Sequence, residues 1–402
     1  MPMGEAVRDV LVVGGGPAGL AAALRLKARD VPRVTIIERE DALGGMPRRA
    51  LHSFFGFREF GRFLSGPSYA AKLAAWAQAA GVEIWSGQEV TALRPGGGVV
   101  VQTPKGTREV RARRVLLAMG ARARRVEDWR ADAAGRLGVL DSSALPPDAA
   151  ALPCRCPVLV GGDRVSLSAL ATCRRQGMRP VAMVEANPRP AVSWPLTLYA
   201  RLAGARLRLG TEIERIEGEG GVERVVLSNG QVLACDGVLV TGGLQPEVGL
   251  VRDSHLRLDH GAGGPAVDQY GRCSDTAFFA MGNVLGAAEG AGWNFQAGQT
   301  TGDFIADDLI GGLPSLEGAL AIEAGAAVRF VLPQSLAHVA PLRGRLYVRV
   351  AAPVKGLLRV RAGAIVLYRR RVEAVPERRV LIDLDGLKTP PDDALLTVEV
   401  VA

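Results

Sequence analysis

One pattern occurs twice in this chain, and it constrains most of what the chain can fold into. Residues 9–40 read as an apolar strand, a glycine turn, a helix and a second strand ending in an acid, and residues 158–189 repeat that order. Glu38 follows Gly14 by 24 positions, and Glu185 follows Gly161 by the same 24. Continuous apolar strands are typical of parallel sheets covered by helices. The repeat therefore predicts two βαβ units, each within an α/β, Rossmann-like three-layer domain.

The first copy contains the pattern G-x-G-x-x-G, in the order Gly14, Gly15, Gly16, Pro17, Ala18, Gly19. Gly14 permits the tight turn, Gly16 lets a pyrophosphate approach the backbone, and Gly19 lets the helix pack closely on the strand. The free N–H groups and the dipole at the helix start favour a diphosphate. Glu38 is placed to accept hydrogen bonds from a ribose. These features predict a dinucleotide site.

The second copy keeps the first glycine, Gly161, but has Asp163 and Ser166 in place of the other two. A carboxylate about 4 Å from a phosphate costs about 4 kcal/mol at an effective dielectric near 20, roughly a thousandfold in affinity. Two alternatives follow. The second copy binds NADH weakly, with Glu185 on the ribose and Arg164 offsetting the carboxylate, or it keeps only the fold and binds no nucleotide.

With these motifs, residues 8–310 resemble flavoproteins that have two dinucleotide-binding domains and are related to the pyridine-nucleotide disulfide reductases. The resemblance implies FAD in the first loop and NAD(H) in the second. It also implies that the helix after Trp293 directs its N-terminus at the flavin pyrimidine. In the element "FFAMGNV", Asn283 stands where an Asp of the resembling proteins usually contacts the ribityl chain. Beyond the loop, the cofactor-binding residues implied are Glu38, Arg39, Gly45, Val90, Ala118, Gly120, Gly282, Asn283, Trp293 and Asn294.

A narrower resemblance covers residues 43–70, "LGGMPRRALHSFFGFREFGRFLSGPSYA". This segment is similar to NADH-oxidase-like proteins associated with glycerol-3-phosphate dehydrogenase, and to flavin subunits of opine and amino-acid dehydrogenases. Ala50 replaces a cysteine of the former group, whereas His52 matches. The catalytic residue stays unassigned, with His52 as a candidate proton donor. No C-x-x-C occurs among the five cysteines, so we do not expect a disulfide reductase, and the cysteine pattern is typical of the reducing cytoplasm.

Composition excludes several other classes of protein. Hydrophobic residues are 48 % and charged residues 22 % of the 402 residues, as in soluble globular proteins. The net charge is +8, but the arginine clusters lack interleaved aromatics, so we expect no nucleic-acid partner. Apolar runs are too short for a membrane span. The four histidines lack metal-ligand spacing, so no metal is expected.

The sequence thus predicts an FAD-binding domain split between residues 1–125 and 236–315, an inserted NAD(P)-binding-like domain at 150–235, and a small C-terminal antiparallel β domain at 325–402. The predicted activity is FAD-dependent hydride or electron transfer, with NADH as a candidate donor. The alternative is a flavin-carrying electron-transfer subunit of a heteromeric dehydrogenase, and a flavin-free scaffold is a third. A small-molecule substrate or electron donor, a partner dehydrogenase subunit and an iron–sulfur protein are the expected partners.

Overall fold

The computed structural model describes residues 7–123, 125–133, 135–141, 154–189, 196–241, 243–286, 289–337 and 344–401. These form two compact units. The first comprises the described parts of 1–45, 70–121 and 246–402, and the second those of 46–69 and 122–245.

The α-helices are α1 (Pro17–Ala28), α2 (Phe57–Phe60), α3 (Gly66–Ala79), α4 (Val126–Trp129), α5 (Arg164–Arg175), α6 (Leu196–Leu202), α7 (Gly249–Arg252) and α8 (Ala291–Leu309). The strands are β1 (Arg8–Val13), β2 (Val34–Glu38), β3 (Glu83–Ser86), β4 (Glu89–Arg94), β5 (Gly98–Thr103), β6 (Gly106–Leu117), β7 (Ala121–Arg122), β8 (Val139–Asp141), β9 (Pro157–Val160), β10 (Ala182–Glu185), β11 (Arg206–Leu209), β12 (Ile213–Glu217), β13 (Arg224–Leu227), β14 (Val232–Ala234), β15 (Gly237–Val240), β16 (Gln245–Pro246), β17 (Leu258–Asp259), β18 (Gly264–Pro265), β19 (Phe278–Ala280), β20 (Leu320–Ala324), β21 (Val328–Leu332), β22 (Ser335–Leu336), β23 (Arg345–Val350), β24 (Val354–Ala362), β25 (Ile365–Ala374), β26 (Val380–Asp383) and β27 (Leu396–Val401).

The first unit is organised around a sheet of order β3-β2-β1-β6-β5-β4, to which β19 adds beside β6. Strands β1, β2, β3, β6 and β19 pair in parallel, while β4, β5 and the first half of β6 form an antiparallel ribbon. The apolar run Val10–Val13 is buried throughout, as expected for a parallel strand covered on both faces.

Helix α8 packs closely against α1 in this unit. A Cβ at Gly298 would lie 2.3 Å from the carbonyl oxygen of Ala18, so only glycine permits this approach. Further along the two helices, Asp303 accepts hydrogen bonds from both Arg25 and Arg29, at 2.8 and 2.7 Å. Small residues and ion pairs together fix how the two helices lie against each other.

The second unit contains a five-stranded sheet of order β11-β10-β9-β15-β8, in which each strand pairs in parallel with its neighbours. Helix α5 connects β9 to β10, as α1 connects β1 to β2. The predicted α/β class with two Rossmann-like sheets is therefore confirmed. The predicted domain boundary places residues from 236 onward in the FAD-binding domain, but strand β15 pairs with β9 in the second sheet. The buried residues Gly237–Val240 of β15 complete that sheet.

The C-terminal residues of the first unit form two further sheets, of orders β22-β20-β27-β24-β25 and β21-β23-β26. Alternating side chains of these strands share one apolar core that includes Leu346, Val348, Val360 and Val398. The pairings in these sheets are antiparallel, as predicted for the small C-terminal β domain, except that β20 and β27 pair in parallel.

Candidate functional site

The first glycine loop has the backbone geometry that a nucleotide diphosphate requires. Gly14 has φ +105°, and a Cβ there would lie 2.5 Å from the carbonyl oxygen of Ala118. A Cβ on Gly19 would lie 2.0 Å from the carbonyl oxygen of Gly14, whereas one on Gly16 would meet no atom within 4 Å. The loop is therefore tightly packed on its inner side and open at Gly16.

Helix α1 begins directly after this open position. Gly16 is its N-cap and supplies no side-chain hydrogen bond, and Pro17 occupies the first turn. The backbone donors at a helix start need an external acceptor when no side chain caps them. An open, uncapped helix start that follows a glycine turn fits the diphosphate of a dinucleotide.

Glu38 connects the end of β2 to the loop. One carboxylate oxygen accepts a hydrogen bond from the backbone N–H of Gly15 at 2.8 Å, and the other accepts from that of Glu40 at 2.9 Å. A carboxylate has about four acceptor sites, so two bonds leave capacity for a ribose hydroxyl. The side chain is buried, and its two backbone bonds fix its orientation.

Several of the other predicted residues lie around this loop. Gly44 donates to the carbonyl oxygen of Gly15 at 2.7 Å, and a Cβ on Gly45 would lie 3.1 Å from the Cα of Gly16. A Cβ on Gly282 would lie 3.3 Å from that of Ala18 and 3.1 Å from the side-chain oxygen of Asn294. The structure thus brings together the turn at 44–45, the start of α1 and the start of α8.

The remaining predicted residues have other contacts. Gly120 accepts a hydrogen bond from the backbone N–H of Glu247 at 3.0 Å, and Arg39 lies 3.6 Å from the carboxylate of that glutamate. Val90 is buried within the apolar core of the first unit. Trp293, at the start of α8, lies beneath the guanidinium of Arg379 at 3.9 Å.

Asn283 forms a two-way bridge to the residue that precedes the α8 N-cap. Its side-chain oxygen accepts from the backbone N–H of Glu289 at 2.8 Å, and its side-chain nitrogen donates to the carbonyl oxygen of Glu289 at 3.1 Å. An ionised Asp at this position has no donor, so the amide makes a contact that the residue usual in the resembling proteins cannot.

The second loop repeats the turn but not the open helix start. Gly161 has φ +124°, close to that of Gly14. Asp163 is the N-cap of α5: its carboxylate accepts from the backbone N–H of Ser166 and from the Ser166 hydroxyl, both at 2.9 Å. Its second oxygen accepts from the backbone N–H of Gly243 at 3.4 Å. A carboxylate of the chain itself therefore caps the helix start that is left uncapped in the first loop.

Glu185 keeps the position that Glu38 has in the first copy. A Cβ on Gly162 would lie 3.0 Å from its carboxylate, just as Gly15 contacts Glu38. Its other oxygen accepts two hydrogen bonds from Asn187, one from the backbone and one from the side chain. The two copies of the repeat thus share the glycine turn and the acidic residue at the end of the second strand. They differ at the helix start, which has no side-chain cap in the first copy and is capped by Asp163 in the second.

His52 lies against α5 in the second unit. Its Nε2 is 2.6 Å from the hydroxyl of Ser168, and its ring stacks on Phe55 with centroids 4.9 Å apart. Burial, with Arg175 nearby as the smaller cause, lowers the pKa of His52 to about 4. The imidazole is therefore neutral at physiological pH, and a role in proton donation stays a prediction.

The five cysteines are all unpaired thiols, and only Cys156 is exposed. Burial raises the pKa of Cys154 and Cys173 to about 12 and that of Cys235 to about 11, and it also raises the pKa of Cys273. Thiolates are the reactive form in disulfide exchange, so these four thiols are not activated for it.

Within the described ranges, no three or more His, Cys, Asp or Glu side chains come together as a metal site. None of the helices described in this chain combines the length and the apolar character that crossing a bilayer requires.

Sequence reasoning missed the capping role of Asp163 and the ties of Asn283 to Glu289. The first had a signal, because Asp at an N-cap with a hydrogen-bonding residue three positions later is a helix-start pattern. The second had none, because residues 284–288 separate the partners without any periodicity.

A family model described as pyridine nucleotide-disulphide oxidoreductase matches residues 8–301. A probable ferredoxin reductase of Castellaniella defragrans is 29 % identical over 289 residues, which are 68 % of this chain and 67 % of that protein. The ferredoxin–NAD(+) reductase component of the Paraburkholderia xenovorans biphenyl dioxygenase system is 28 % identical over 306 residues, 73 % and 69 % of the two chains. The match thus spans about two thirds of each relative.

Solved structures show the same fold. Thioredoxin reductase of T. acidophilum superposes with a TM-score of 0.63 at 22 % identity, covering 75 % of this chain and 98 % of that one. The covalent putidaredoxin reductase–putidaredoxin complex gives a TM-score of 0.58 at 20 % identity, covering 94 % and 89 %. The narrower resemblance to glycerol-3-phosphate dehydrogenase-associated proteins is not what these comparisons support, since the matched curated proteins above are ferredoxin reductases.

Proposed function

Because the chain belongs to the pyridine nucleotide-disulphide oxidoreductase family, whose members typically use FAD, we propose that it is an FAD-dependent oxidoreductase that delivers electrons to a small iron–sulfur protein of the ferredoxin class. The open, uncapped helix start at Gly16 carries the FAD assignment. The ferredoxin reductases among its relatives support the choice of acceptor. So do the four buried thiols with raised pKa, which are unsuited to a disulfide substrate.

The residues of the first unit have defined tasks in this proposal. The backbone donors at the start of α1 bind the diphosphate, and Glu38 orients the ribose through the oxygens not used by Gly15 and Glu40. Asn294 and the N-terminus of α8 lie beside Ala18 and Gly282, and in this proposal they would contact the flavin. When bound, FAD would supply the redox chemistry that couples a two-electron donor to one-electron acceptors.

The electron balance is that of a two-electron donor and a one-electron acceptor. NADH loses a hydride and becomes NAD⁺. Two oxidised iron–sulfur proteins each gain one electron, and the proton is released to water. The ferredoxin–NAD(+) reductases among the relatives support NADH as the donor.

A second candidate is favoured by the geometry of the second loop. Asp163 occupies the start of α5, so the donor would be a partner dehydrogenase subunit that oxidises a small molecule and passes its electrons to the FAD of this chain. The resemblance of residues 43–70 to flavin subunits of opine and amino-acid dehydrogenases supports this candidate. In either case we place the chain in the cytoplasm, where its five unpaired thiols stay reduced.

An anaerobic titration of the purified holoprotein tests the two candidates. NADH and then NADPH are added while flavin absorbance is followed, and dithionite serves as the positive control. Bleaching by NADH, followed by reoxidation on adding a ferredoxin, is the result expected for the first candidate. A flavin that only dithionite bleaches points to the second. A protein that binds no FAD overturns both.

A further inference from the structure

We propose that the C-terminal strands position the flavin-facing end of α8 and tune the reduction potential of the bound FAD. They do so through three side chains, Glu289, Arg349 and Arg379, which we call the Glu289 cluster. This inference rests on the FAD site proposed above, but it does not depend on the identity of the electron donor or acceptor.

The Glu289 cluster joins two distant parts of the first unit. Arg349 lies in β23 and donates to the Glu289 carboxylate at 2.9 Å, and Arg379 lies 3.6 Å from the same oxygen. The three side chains are only 10 %, 17 % and 16 % exposed, in the order Arg349, Arg379, Glu289. Ion pairs this sheltered are screened far less by solvent than surface pairs. Arg349 is itself held by a bond to the carbonyl oxygen of Pro376 at 3.2 Å.

Hydrogen bonds of the Glu289 backbone connect the ion pairs of the cluster to the start of α8. Its backbone is bridged in both directions by Asn283, and its carbonyl oxygen also accepts from the side chain of Asn294 at 3.0 Å. The next residue, Gly290, is the N-cap of α8 and provides no side-chain cap. Displacement of Glu289 would therefore displace the helix start and two predicted flavin-binding residues with it.

Arg379 makes a second contact with the same helix turn. Its guanidinium carbon lies 3.9 Å from the ring centroid of Trp293. The same carbon lies 5.4 Å from the ring centroid of Tyr347, a residue of the C-terminal strand β23. One planar cation thus fixes both Glu289 and Trp293, which a lysine could not do with the same geometry.

The charges of the cluster also act on the flavin. Two arginines and one glutamate leave a net charge of +1 beside the positive end of the α8 dipole. A positive field favours the reduced flavin, which carries negative charge, over the oxidised one. The cluster is therefore expected to raise the reduction potential, and loss of one arginine should lower it.

The test uses full-length holoprotein and three variants: Arg379→Gln, Glu289→Gln and the control Arg345→Gln. Arg345 lies in the same strand as Arg349, but its partner is Asp383 and the two side chains are 55 % and 61 % exposed. The readouts are the midpoint potential, measured by dye equilibration with dithionite, and the dissociation constant of FAD. Neither readout needs a physiological donor or acceptor.

Arg379→Gln should weaken the preference of the site for reduced FAD by about tenfold, which corresponds to a potential about 30 mV lower for a two-electron couple. Glu289→Gln should shift the potential in the opposite direction, and Arg345→Gln should leave it unchanged. Loss of FAD from Arg379→Gln but not from the control also supports positioning. Unchanged potential and FAD affinity in both cluster variants would overturn the inference. A failure of the wild-type protein to reduce a ferredoxin would count against the proposed function alone.

Discussion

The carboxylate of Asp163 is the feature whose removal says most about the second unit. It caps α5 at the helix start that corresponds to the proposed diphosphate site of the first loop. Asn is as good an N-cap as Asp, so Asp163→Asn removes the charge and keeps an acceptor for the Ser166 N–H. We expect this variant to bind NAD⁺ more tightly than the wild type does, with little change in stability.

The magnitude follows from Coulomb's law. A carboxylate about 4 Å from a phosphate costs about 4 kcal/mol at an effective dielectric near 20, and about 1.4 kcal/mol corresponds to a tenfold change in affinity. The substituted amide still occupies part of the helix start. The expected gain is therefore about two to three orders of magnitude at most. The change in the free energy of unfolding should stay below about 1 kcal/mol.

Calorimetric titration of the oxidised holoprotein with NAD⁺ measures this gain without any electron transfer. Ser166→Ala is the matched control, because it removes the hydroxyl that donates to Asp163 at 2.9 Å and keeps the negative charge. That control should lose stability and gain no affinity. A dissociation constant for Asp163→Asn within threefold of the wild-type value, in a folded protein, would refute the electrostatic argument (a threefold change is about 0.7 kcal/mol).

Three further predictions concern the first loop and His52. Gly16→Asp should leave the fold intact, because a Cβ there meets no atom within 4 Å. The variant should nevertheless fail to retain FAD, which the flavin-to-protein absorbance ratio measures. Normal flavin content would contradict the loop assignment. Gly19→Ala should lower the unfolding free energy by about 1–3 kcal/mol, because its Cβ would lie 2.0 Å from a carbonyl oxygen; thermal unfolding beside Gly16→Ala checks this, and equal stabilities would contradict it. Because the folded pKa of His52 is lowered to about 4, the unfolded chain binds more protons between that value and about 6.5, so stability falls as pH falls from 7 to 4. His52→Gln should reduce this pH-dependent loss of unfolding free energy by at most about 2 kcal/mol. Denaturant unfolding of both proteins at pH 7 and pH 4.5 measures it, and an equal decrease in the variant and the wild type would contradict the prediction.

Local patterns predicted the parts of the fold that depend on neighbouring residues. Both βαβ units and the placement of Glu38 beside its glycine loop follow from spacing, since a strand, a glycine turn and a helix each have a short-range signature. The α/β class and a dinucleotide site followed from those units, whereas FAD and the flavin-dependent activity followed from the family resemblance. Asp163 was identified as unfavourable for a pyrophosphate, but its hydrogen bonds to Ser166 were not anticipated.

Long-range contacts could not be predicted in the same way. The bond between His52 and Ser168 joins residues 116 positions apart, and it helps to place 46–69 in the second unit. Arg349 and Glu289 are 60 positions apart. Such pairings depend on how complete elements pack, and no periodicity within one element encodes them.

The capped start of α5 has a consequence for the order in which the protein matures. All parts of the second unit lie within residues 46–245, and its helix start is satisfied by its own Asp163. This unit can fold while the ribosome is still translating the residues after 245, and it needs no bound ligand to do so. The first unit must wait for β19 and α8 to be translated, and under the proposed function its open loop would be completed only when FAD binds. When flavin is scarce in the cell, we therefore expect the protein to accumulate with its second unit folded and its first unit incompletely folded and susceptible to proteolysis.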